Sequence, residues 1–268
     1  MNIKRYVSGF ILFPIFAIFM VFANKYMIDI AVSIIAMMCL NEFYKAFKGK
    51  ANPISWVGYI AAAAIAIIHI IPTNLILPIV AAIVPASIMI LFVKSILSEL
   101  KFNILDIAIT FFGICYIVLF LMFAPIIREN LPNGNIIIWF VFFSAWGTDI
   151  FAYLIGKHFG KHKFTKISPN KSLEGCLGGV LGALIMVLTY TVVCNQVFAM
   201  NLNYFYAGFI AILLSVMSQI GDLAASSIKR YCDIKDYSNL IPGHGGMLDR
   251  IDSLIFLAPF AYALFTLL

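Results

Sequence analysis

Long, continuous runs of apolar residues fill most of the chain and are separated by short polar links. A helix that crosses a bilayer needs about 20 mostly apolar residues. None of the runs shows the alternation of polar and apolar positions that is typical of a membrane-spanning β-strand. The pattern therefore predicts an all-α, polytopic membrane protein with about nine transmembrane helices, over residues 6–23, 27–43, 54–71, 75–96, 104–125, 136–156, 175–194, 205–226 and 250–268.

The composition agrees with a membrane protein. Only 11% of the 268 residues are charged, whereas soluble domains carry about 25%. The five cysteines are scattered and form no CxxC pair, so they indicate neither a zinc site nor a disulfide framework. The first apolar run ends without a small-residue cleavage site, so we expect an uncleaved helix rather than a signal peptide.

The positive charges of the links predict the orientation of the protein. With nine spans, sixteen of the eighteen Lys and Arg residues fall on one side, and only Lys25 and Arg128 fall on the other. Because basic links stay in the cytoplasm, we expect an integral protein of a bacterial-type inner or plasma membrane with its amino terminus inside and its carboxyl terminus outside. This topology explains the net charge of +6 without a nucleic-acid partner.

The two halves of the chain differ in their polar residues. Residues 1–135 should form about five helices with featureless links, whereas residues 136–268 should form about four catalytic helices with polar cytoplasmic links, all in one membrane unit. In the first half, Asp29 and Asp106 lie near span ends, where solvation at the interface would explain them. We expect His69 to be a buried histidine with satisfied hydrogen bonds rather than a ligand.

The sixth predicted span carries an aspartate within its last two turns. Trp146, Asp149, Tyr153 and Gly156 follow helical spacing and share one face. A carboxylate inside a transmembrane helix is costly and normally faces a polar cavity or a partner. Asp149 is therefore a candidate substrate contact, and a structural pair with a nearby lysine is the alternative.

The next link ends in a turn before the seventh span. We expect Ser172 to cap that helix, which would leave backbone N–H groups beside a lysine and form a candidate phosphate site. The candidate binding residues of this turn are Ser168, Asn170, Lys171 and Glu174. The alternative is that the lysines attract anionic lipid headgroups and that the turn only caps the helix.

The eighth span ends with a carboxylate about two turns before two cations. Asp222, Ser226, Lys229 and Arg230 occur at helical spacing and share one face. In isolation Asp222 could simply neutralise Lys229. That explanation does not account for the second group of carboxylates, which follows in the chain.

The segment IPGHGGMLDRID, residues 241–252, precedes the last span. Its proline and glycines prevent a helix and let the backbone approach a ligand closely. The last helix should start near Met247, with Asp249 and Asp252 in its first turns. These carboxylates could be helix caps. However, Asp222 and Asp249 should reach the same membrane depth beside Lys and Arg residues, which favours a Mg²⁺ site that is completed by substrate phosphates.

Residues 226–252 carry the pattern S-x-I-K-R-x(4)-K-D-x-S-x(2)-I-P-x-H-G-G-M-x-D-R-I-D, which resembles the carboxyl-terminal signature of the phosphatidate cytidylyltransferases, or CDP-diacylglycerol synthases. The likeness extends to DIFAYLIGKHFGK and ISPNKSLEG, where Ser172 stands in place of an expected threonine. It is weak across the first half, where only hydrophobicity matches.

The resemblance implies condensation of CTP with phosphatidate to CDP-diacylglycerol and pyrophosphate. It implies one or two Mg²⁺ ions on Asp222 and Asp249, with room for a second, monovalent ion, and it suggests a homodimer. The remaining motif positions are implied to be catalytic or substrate-handling. Together with the two metal ligands, the candidate catalytic residues are Asp222, Asp249, Lys229, Arg230 and Asp252. The candidate substrate contacts of the signature are Ser226, Lys235, Asp236, His244, Gly245, Gly246 and Arg250.

Two other functions are weighed against this one. A secondary transporter of a cation or organic anion could use intramembrane aspartates, but it should place broken helices near mid-membrane in both halves, whereas the polar residues here crowd one predicted side. A CDP-alcohol phosphatidyltransferase should carry DGxxAR…GxxxDxxxD, and Asp222 is followed by Leu223. The absence of GxxxxGK[ST], HExxH and GxSxG disfavours P-loop, zinc-protease and serine-hydrolase chemistry.

Overall fold

In a computed structural model, which describes residues 14–240 and 245–267, the described parts of the predicted spans are almost entirely helical and the described residues contain no β-strand. Residues 14–22 form the described part of α1. The other helices are α2 (Lys25–Ala46), α3 (Ser55–Ala64, continued by a 3₁₀ segment Ile65–Ile70), α4 (Thr73–Leu97), α5 (Ile104–Asn130, with a π-helical segment Ile114–Leu119), α6 (Gly134–Phe159), α7 (Leu173–Phe198), α8 (Tyr204–Tyr231) and α9 (Leu248–Leu267).

The protein is an all-α polytopic membrane protein, as the hydrophobic pattern predicts. Among the described residues, seven helices are long and apolar enough to cross a membrane, namely α2 and α4 to α9. The segment Ser55–Ile70 is apolar but shorter, and the predicted first span begins outside the described residues. The exact number of nine spans and the orientation of the termini stay predictions.

Polar residues at the helix starts explain several of the boundaries. The side chain of Asn24 accepts a hydrogen bond from Met27 N at 2.9 Å and caps α2. Asn103 and Asp106 form a reciprocal capping box at the start of α5. Ser172 Oγ accepts from Gly175 N at 3.1 Å, so the prediction that Ser172 caps the seventh predicted span is confirmed. Each bond satisfies an N–H group that the first helical turn leaves without an intrahelical partner.

The chain divides into two compact units. The first unit consists of Met1–Pro125 and Tyr231–Ile251, and the second consists of Ile126–Arg230 and Asp252–Leu268. Residues 231–251, which include most of the signature, thus group with the amino-terminal helices. The predicted boundary near residue 135, between the amino-terminal helices and the catalytic helices, stays a prediction.

Helices α2, α3 and α5 of the first unit are joined by polar contacts as well as by apolar packing. Ser33 Oγ donates to the Ala62 carbonyl at 2.9 Å, and the Tyr44 hydroxyl donates to the Thr110 carbonyl at 3.0 Å. The Tyr44 ring lies against Gly58, where any Cβ would collide with its hydroxyl group. These contacts give the amino-terminal helices a defined packing rather than a purely apolar one.

Asp29 and Asp106 are not solvated at an interface, so that expectation was wrong. Asp29 is fully buried, and its carboxylate contacts His69 Nδ1 at 2.8 Å. Asp106 is also buried and accepts a hydrogen bond from Asn52 N at 2.6 Å. Burying a carboxylate without partners is too costly, so both side chains fasten neighbouring segments. His69 is a buried, partnered histidine, as expected.

The second unit is built around a close contact between α6 and α7. Gly147 on α6 faces Gly182 on α7, and a Cβ at either position would collide with the backbone of the other helix. Small residues at such positions let membrane helices approach until their backbones touch. Thr148 Oγ1 then donates to Ser215 Oγ of α8 at 2.7 Å, which links the third helix to this pair.

We expect Gly182→Ala to destabilise the protein by about 1–3 kcal/mol, because the added methyl group meets rigid backbone rather than a movable side chain. Gly208→Ala is the matched control, since its Cβ would lie 3.5 Å from the flexible end of Leu184. Thermal unfolding in detergent measures the difference. Equal unfolding temperatures for the two variants would contradict the close approach of Gly182 to Gly147.

Candidate active site

The second unit gathers carboxylates and lysines from four of its segments. Lys171 Nζ lies 2.5 Å from Asp222 Oδ2, and Lys229 Nζ lies 3.9 Å from Asp252 Oδ2. Asp252 also interacts electrostatically with Asp222 and with Asp149. Asp222 and Asp149 repel the negative charge of Asp252, and Lys229 offsets part of that repulsion. The arrangement favours binding of further cationic charge beside these residues.

The polar face predicted for the end of α8 is present. Ser226 Oγ donates to Asp222 Oδ1 at 3.5 Å, one helical turn away. Lys229 is buried, whereas Arg230 is exposed and its Nε donates to the Ile167 carbonyl at 3.3 Å. Asp222 contacts Lys171, whereas Lys229 contacts Asp252.

Glu174, a predicted substrate contact, holds the preceding link in the structure. Its carboxylate accepts from the backbone N–H groups of Lys161 and His162 at 3.2 Å and lies 2.5 Å from His162 Nδ1. Lys163 Nζ donates to the Asn170 carbonyl at 3.1 Å. These bonds hold together the link between α6 and α7, which contains Lys171. Ser168 is half-buried and the Asn170 residue is exposed.

In the first unit, Asp249 holds the chain on both sides of residues 238–245, which we call the signature loop. Asp249 Oδ2 accepts from Tyr237 N at 2.8 Å and from Gly246 N at 3.0 Å. Gly245 has a φ of 84°, a left-handed conformation that glycine adopts without strain. Asp249 is 8% exposed. Its carboxylate therefore has an observed structural role in addition to the metal-binding role predicted for it.

Glu42 is the residue of this region that the sequence reasoning missed. It lies near the end of α2, is only 4% exposed, and accepts hydrogen bonds from Ser238, Met247 and Leu248. A signal was available, because a carboxylate in an apolar span is costly and normally has a partner. Glu42 meets the same criterion as Asp149 and Asp222, although the lysines that follow it, Lys45, Lys48 and Lys50, resemble interface charges.

The other predicted contacts of the signature lie in different surroundings. Lys235, Asp236 and Arg250 are exposed. Gly246 is buried, and a Cβ on it would lie 2.5 Å from Glu42 Oε2. His244 lies outside the described residues, so its predicted phosphate contact stays a prediction.

A lysine-tethered turn precedes these residues in the first unit. Lys50 Nζ lies 2.8 Å from Asp233 Oδ2 and also donates to the Tyr231 carbonyl. The Asp233 carboxylate, which hydrogen-bonds to it, raises the pKa of Lys50 above its usual range. Both side chains are exposed, so solvent screens the pair and it contributes little to stability. The turn nevertheless has a defined path from α8 toward Tyr237.

Comparison with known proteins connects these features with a family. A model of the cytidylyltransferase family matches residues 3–268. The chain belongs to the cytidylyltransferase family. The match covers the amino-terminal helices as well as the signature, so the weak likeness seen in the first half of the sequence is part of a family-wide relationship.

Three curated relatives carry the name phosphatidate cytidylyltransferase. The protein from Bacillus subtilis (strain 168) is 42% identical over 142 residues, which are 53% of this chain and 51% of the relative. The Thermotoga maritima protein is 38% identical over 158 residues, 58% of each chain. The Staphylococcus aureus (strain COL) protein is 37% identical over 166 residues, 62% of this chain and 61% of the relative. The matched stretch thus spans between half and two thirds of these relatives.

Proposed function

We propose that this cytidylyltransferase-family protein condenses CTP with phosphatidate and forms CDP-diacylglycerol and pyrophosphate. The observation that carries the proposal is the cluster of Asp149, Asp222 and Asp252 with Lys171 and Lys229 at the ends of membrane helices. Relatives named phosphatidate cytidylyltransferase and the signature at residues 226–252 support the same reaction.

The reaction brings two anions together. A phosphate oxygen of phosphatidate attacks the α-phosphorus of CTP, a new P–O bond forms, and the bond to the β-phosphate breaks as pyrophosphate leaves. Lys171, Lys229 and Arg230 would neutralise the phosphates, since phosphoryl transfer depends mainly on positioning and charge stabilisation. The second pKa of a phosphate ester lies near 6, so the attacking group is largely ionised at neutral pH and needs no strong base.

The donor set of the site fits Mg²⁺ if substrate phosphates supply part of the coordination. Among the described residues no group of three or more His, Cys, Asp or Glu side chains is arranged to hold a metal ion. Mg²⁺, however, is usually bound through one or two carboxylates together with water and substrate phosphates. We propose Asp222 and Asp249 as those carboxylates. When bound, the ion would supply charge neutralisation and a template for in-line attack.

The basic loop before α7 suits a reaction that draws one substrate from the membrane. Lys157, Lys161, Lys163 and Lys166 are exposed, and so are Phe159 and Phe164. Cations interspersed with aromatic side chains favour an anionic lipid surface. We propose that this loop lies at the cytoplasmic face, where phosphatidate in the bilayer and CTP in the cytosol meet.

The test is an assay of purified protein in phosphatidate-containing micelles with labelled CTP, with Mg²⁺ present or removed by EDTA. We expect a CTP-dependent, lipid-linked product that disappears on chelation and returns when Mg²⁺ is added back in excess. Product formation that is unaffected by EDTA would contradict the metal assignment. The absence of any lipid-linked product, together with uptake of an ion or anion into proteoliposomes, would instead favour a transporter.

A further inference from the structure

Glu42 is a buried carboxylate of the amino-terminal half whose hydrogen-bond partners all come from the signature region. Its Oε1 accepts from Ser238 Oγ at 2.6 Å and from Met247 N at 2.9 Å, and its Oε2 accepts from Leu248 N at 2.8 Å. These partners lie 196 to 206 residues further along the chain. Glu42 is 4% exposed, and burying a carboxylate is costly unless such donors replace water.

Two of the partners belong to the start of α9. The N–H groups of Met247 and Leu248 point away from the helix and have no intrahelical acceptor, as at every helix start. A carboxylate at this end also interacts favourably with the helix dipole. Glu42 therefore acts as the cap of α9, although it is supplied by α2 rather than by the residue that precedes the helix.

The bonds of Glu42 alternate along the chain with those of Asp249. Asp249 Oδ2 binds the N–H groups of Tyr237 and Gly246, and Glu42 binds the next residue in each case, Ser238 and Met247. The two carboxylates thus hold the described residues at both ends of the signature loop. A shift of either carboxylate has to move the same backbone, and with it the other carboxylate.

The glycine at position 246 agrees with this coupling. A Cβ at Gly246 would lie 2.5 Å from Glu42 Oε2, so the absence of a side chain lets α2 approach the loop. Glu42 also lines a cavity of about 300 Å³ with Met38, Asn41, Lys45, Tyr237, Ser238 and Leu240. The carboxylate therefore lies at the edge of open space and is not simply packed in an apolar core.

We propose that Glu42 is a positioning residue of the transferase reaction, which fixes the orientation of Asp249 by anchoring the signature loop and the first turn of α9. The proposal rests on the proposed function, since it assigns Glu42 to the reaction through Asp249. It gives the amino-terminal helices a part in catalysis that goes beyond membrane anchoring.

The test compares Glu42→Gln with Glu99→Gln, a matched change at an exposed glutamate of the first unit. Glutamine has the volume of glutamate but only one acceptor oxygen, so its NH₂ group must face a backbone N–H of Met247 or Leu248. We expect turnover per folded molecule to fall about 10- to 100-fold for Glu42→Gln, since a displacement of about 1 Å at a reacting group costs on the order of 10²-fold. KM for CTP should change less than about twofold, because uniform binding is not removed.

Hydrogen exchange supplies a readout that does not depend on activity. Backbone amides of residues 245–250 should exchange faster in Glu42→Gln than in the wild type or Glu99→Gln, because local opening of the loop no longer breaks three hydrogen bonds to Glu42. Ser238→Ala removes one of the three bonds and should produce a smaller change in the same direction. Combined with Glu42→Gln, it should add nothing further, as expected for residues that act through one contact.

Wild-type turnover and wild-type exchange in Glu42→Gln would overturn the proposal, and so would faster exchange without loss of turnover. If Glu42→Gln does not yield folded protein, Ser238→Ala decides: unchanged turnover and unchanged exchange at residues 245–250 overturn the proposal as well. If the wild type itself makes no lipid-linked product, the proposed function fails and the catalytic part of this proposal fails with it. The exchange data then still establish or refute the anchoring of the loop by Glu42.

Discussion

Asp222→Asn is expected to reduce turnover at least about 10²-fold, the cost of removing one preorganised electrostatic group from an active site. Asp222 interacts with Lys171 at 2.5 Å and with Ser226 at 3.5 Å, and it lies within electrostatic reach of Asp252. The substitution keeps the size of the side chain but removes the charge that would hold Mg²⁺ and orient Lys171. The measurement is the rate of lipid-linked product formation per folded molecule at saturating CTP and phosphatidate.

Asp233→Asn is the matched control for this prediction. Asp233 is exposed, pairs with Lys50, and has a φ of 58°, which asparagine tolerates. We expect the control to keep wild-type turnover. An Asp222→Asn variant that retains more than about half of the wild-type turnover would contradict the role assigned to Asp222, since that residual rate corresponds to less than about 0.5 kcal/mol of transition-state stabilisation.

Asp249→Asn is expected to reduce turnover as much as Asp222→Asn does, although Asp249 also has a structural role. The amide oxygen of asparagine can still accept the bonds from Tyr237 N and Gly246 N, so the loop should keep its path while the negative charge is lost. We expect turnover to fall at least about 10²-fold with little change in unfolding temperature. Activity should recover in part when the Mg²⁺ concentration is raised, because a weakened site fills at higher metal concentration.

Asp249→Ala separates the structural role from the catalytic one. It leaves two backbone donors without an acceptor, and each buried donor left unsatisfied costs about 1–3 kcal/mol, so this variant should be both inactive and less stable. If Asp249→Asn is fully active while Asp249→Ala is inactive, Asp249 serves only to hold the loop. The metal-binding role would then be refuted, whereas the contacts with Tyr237 and Gly246 would remain its function.

Much of the fold could be predicted from local sequence patterns. Continuous apolar runs indicate where helices lie, because a helix satisfies all the backbone groups of a spanning segment within that segment. The cap at Ser172 and the contact between Ser226 and Asp222 depend on spacings of three and four residues, which the sequence displays directly. These features are local, so the chain alone determines them.

The partners of the charged residues could not be predicted in the same way. Lys171 contacts Asp222 and Glu42 contacts Ser238 across 51 and 196 residues of sequence, respectively, and no periodicity relates such positions. Asp29 and Asp106 were misjudged because closeness to the end of a span was taken as exposure. In each case packing between helices decided which donor a carboxylate met. The burial of a carboxylate in an apolar run could be anticipated, but the identity of its partner could not.

The long separation between Glu42 and its partners has a consequence for how the protein is made. Ribosomes add about 5–20 residues per second, so roughly 10–40 s pass between the synthesis of Glu42 and that of Met247, 205 residues later. During that interval α2 is already inserted while its carboxylate lacks the donors that stabilise it in the finished protein. A nascent chain in this state has to keep Glu42 at the lipid headgroups or against the insertion machinery, and arrest before α9 should leave α2 prone to recognition by membrane quality-control proteases.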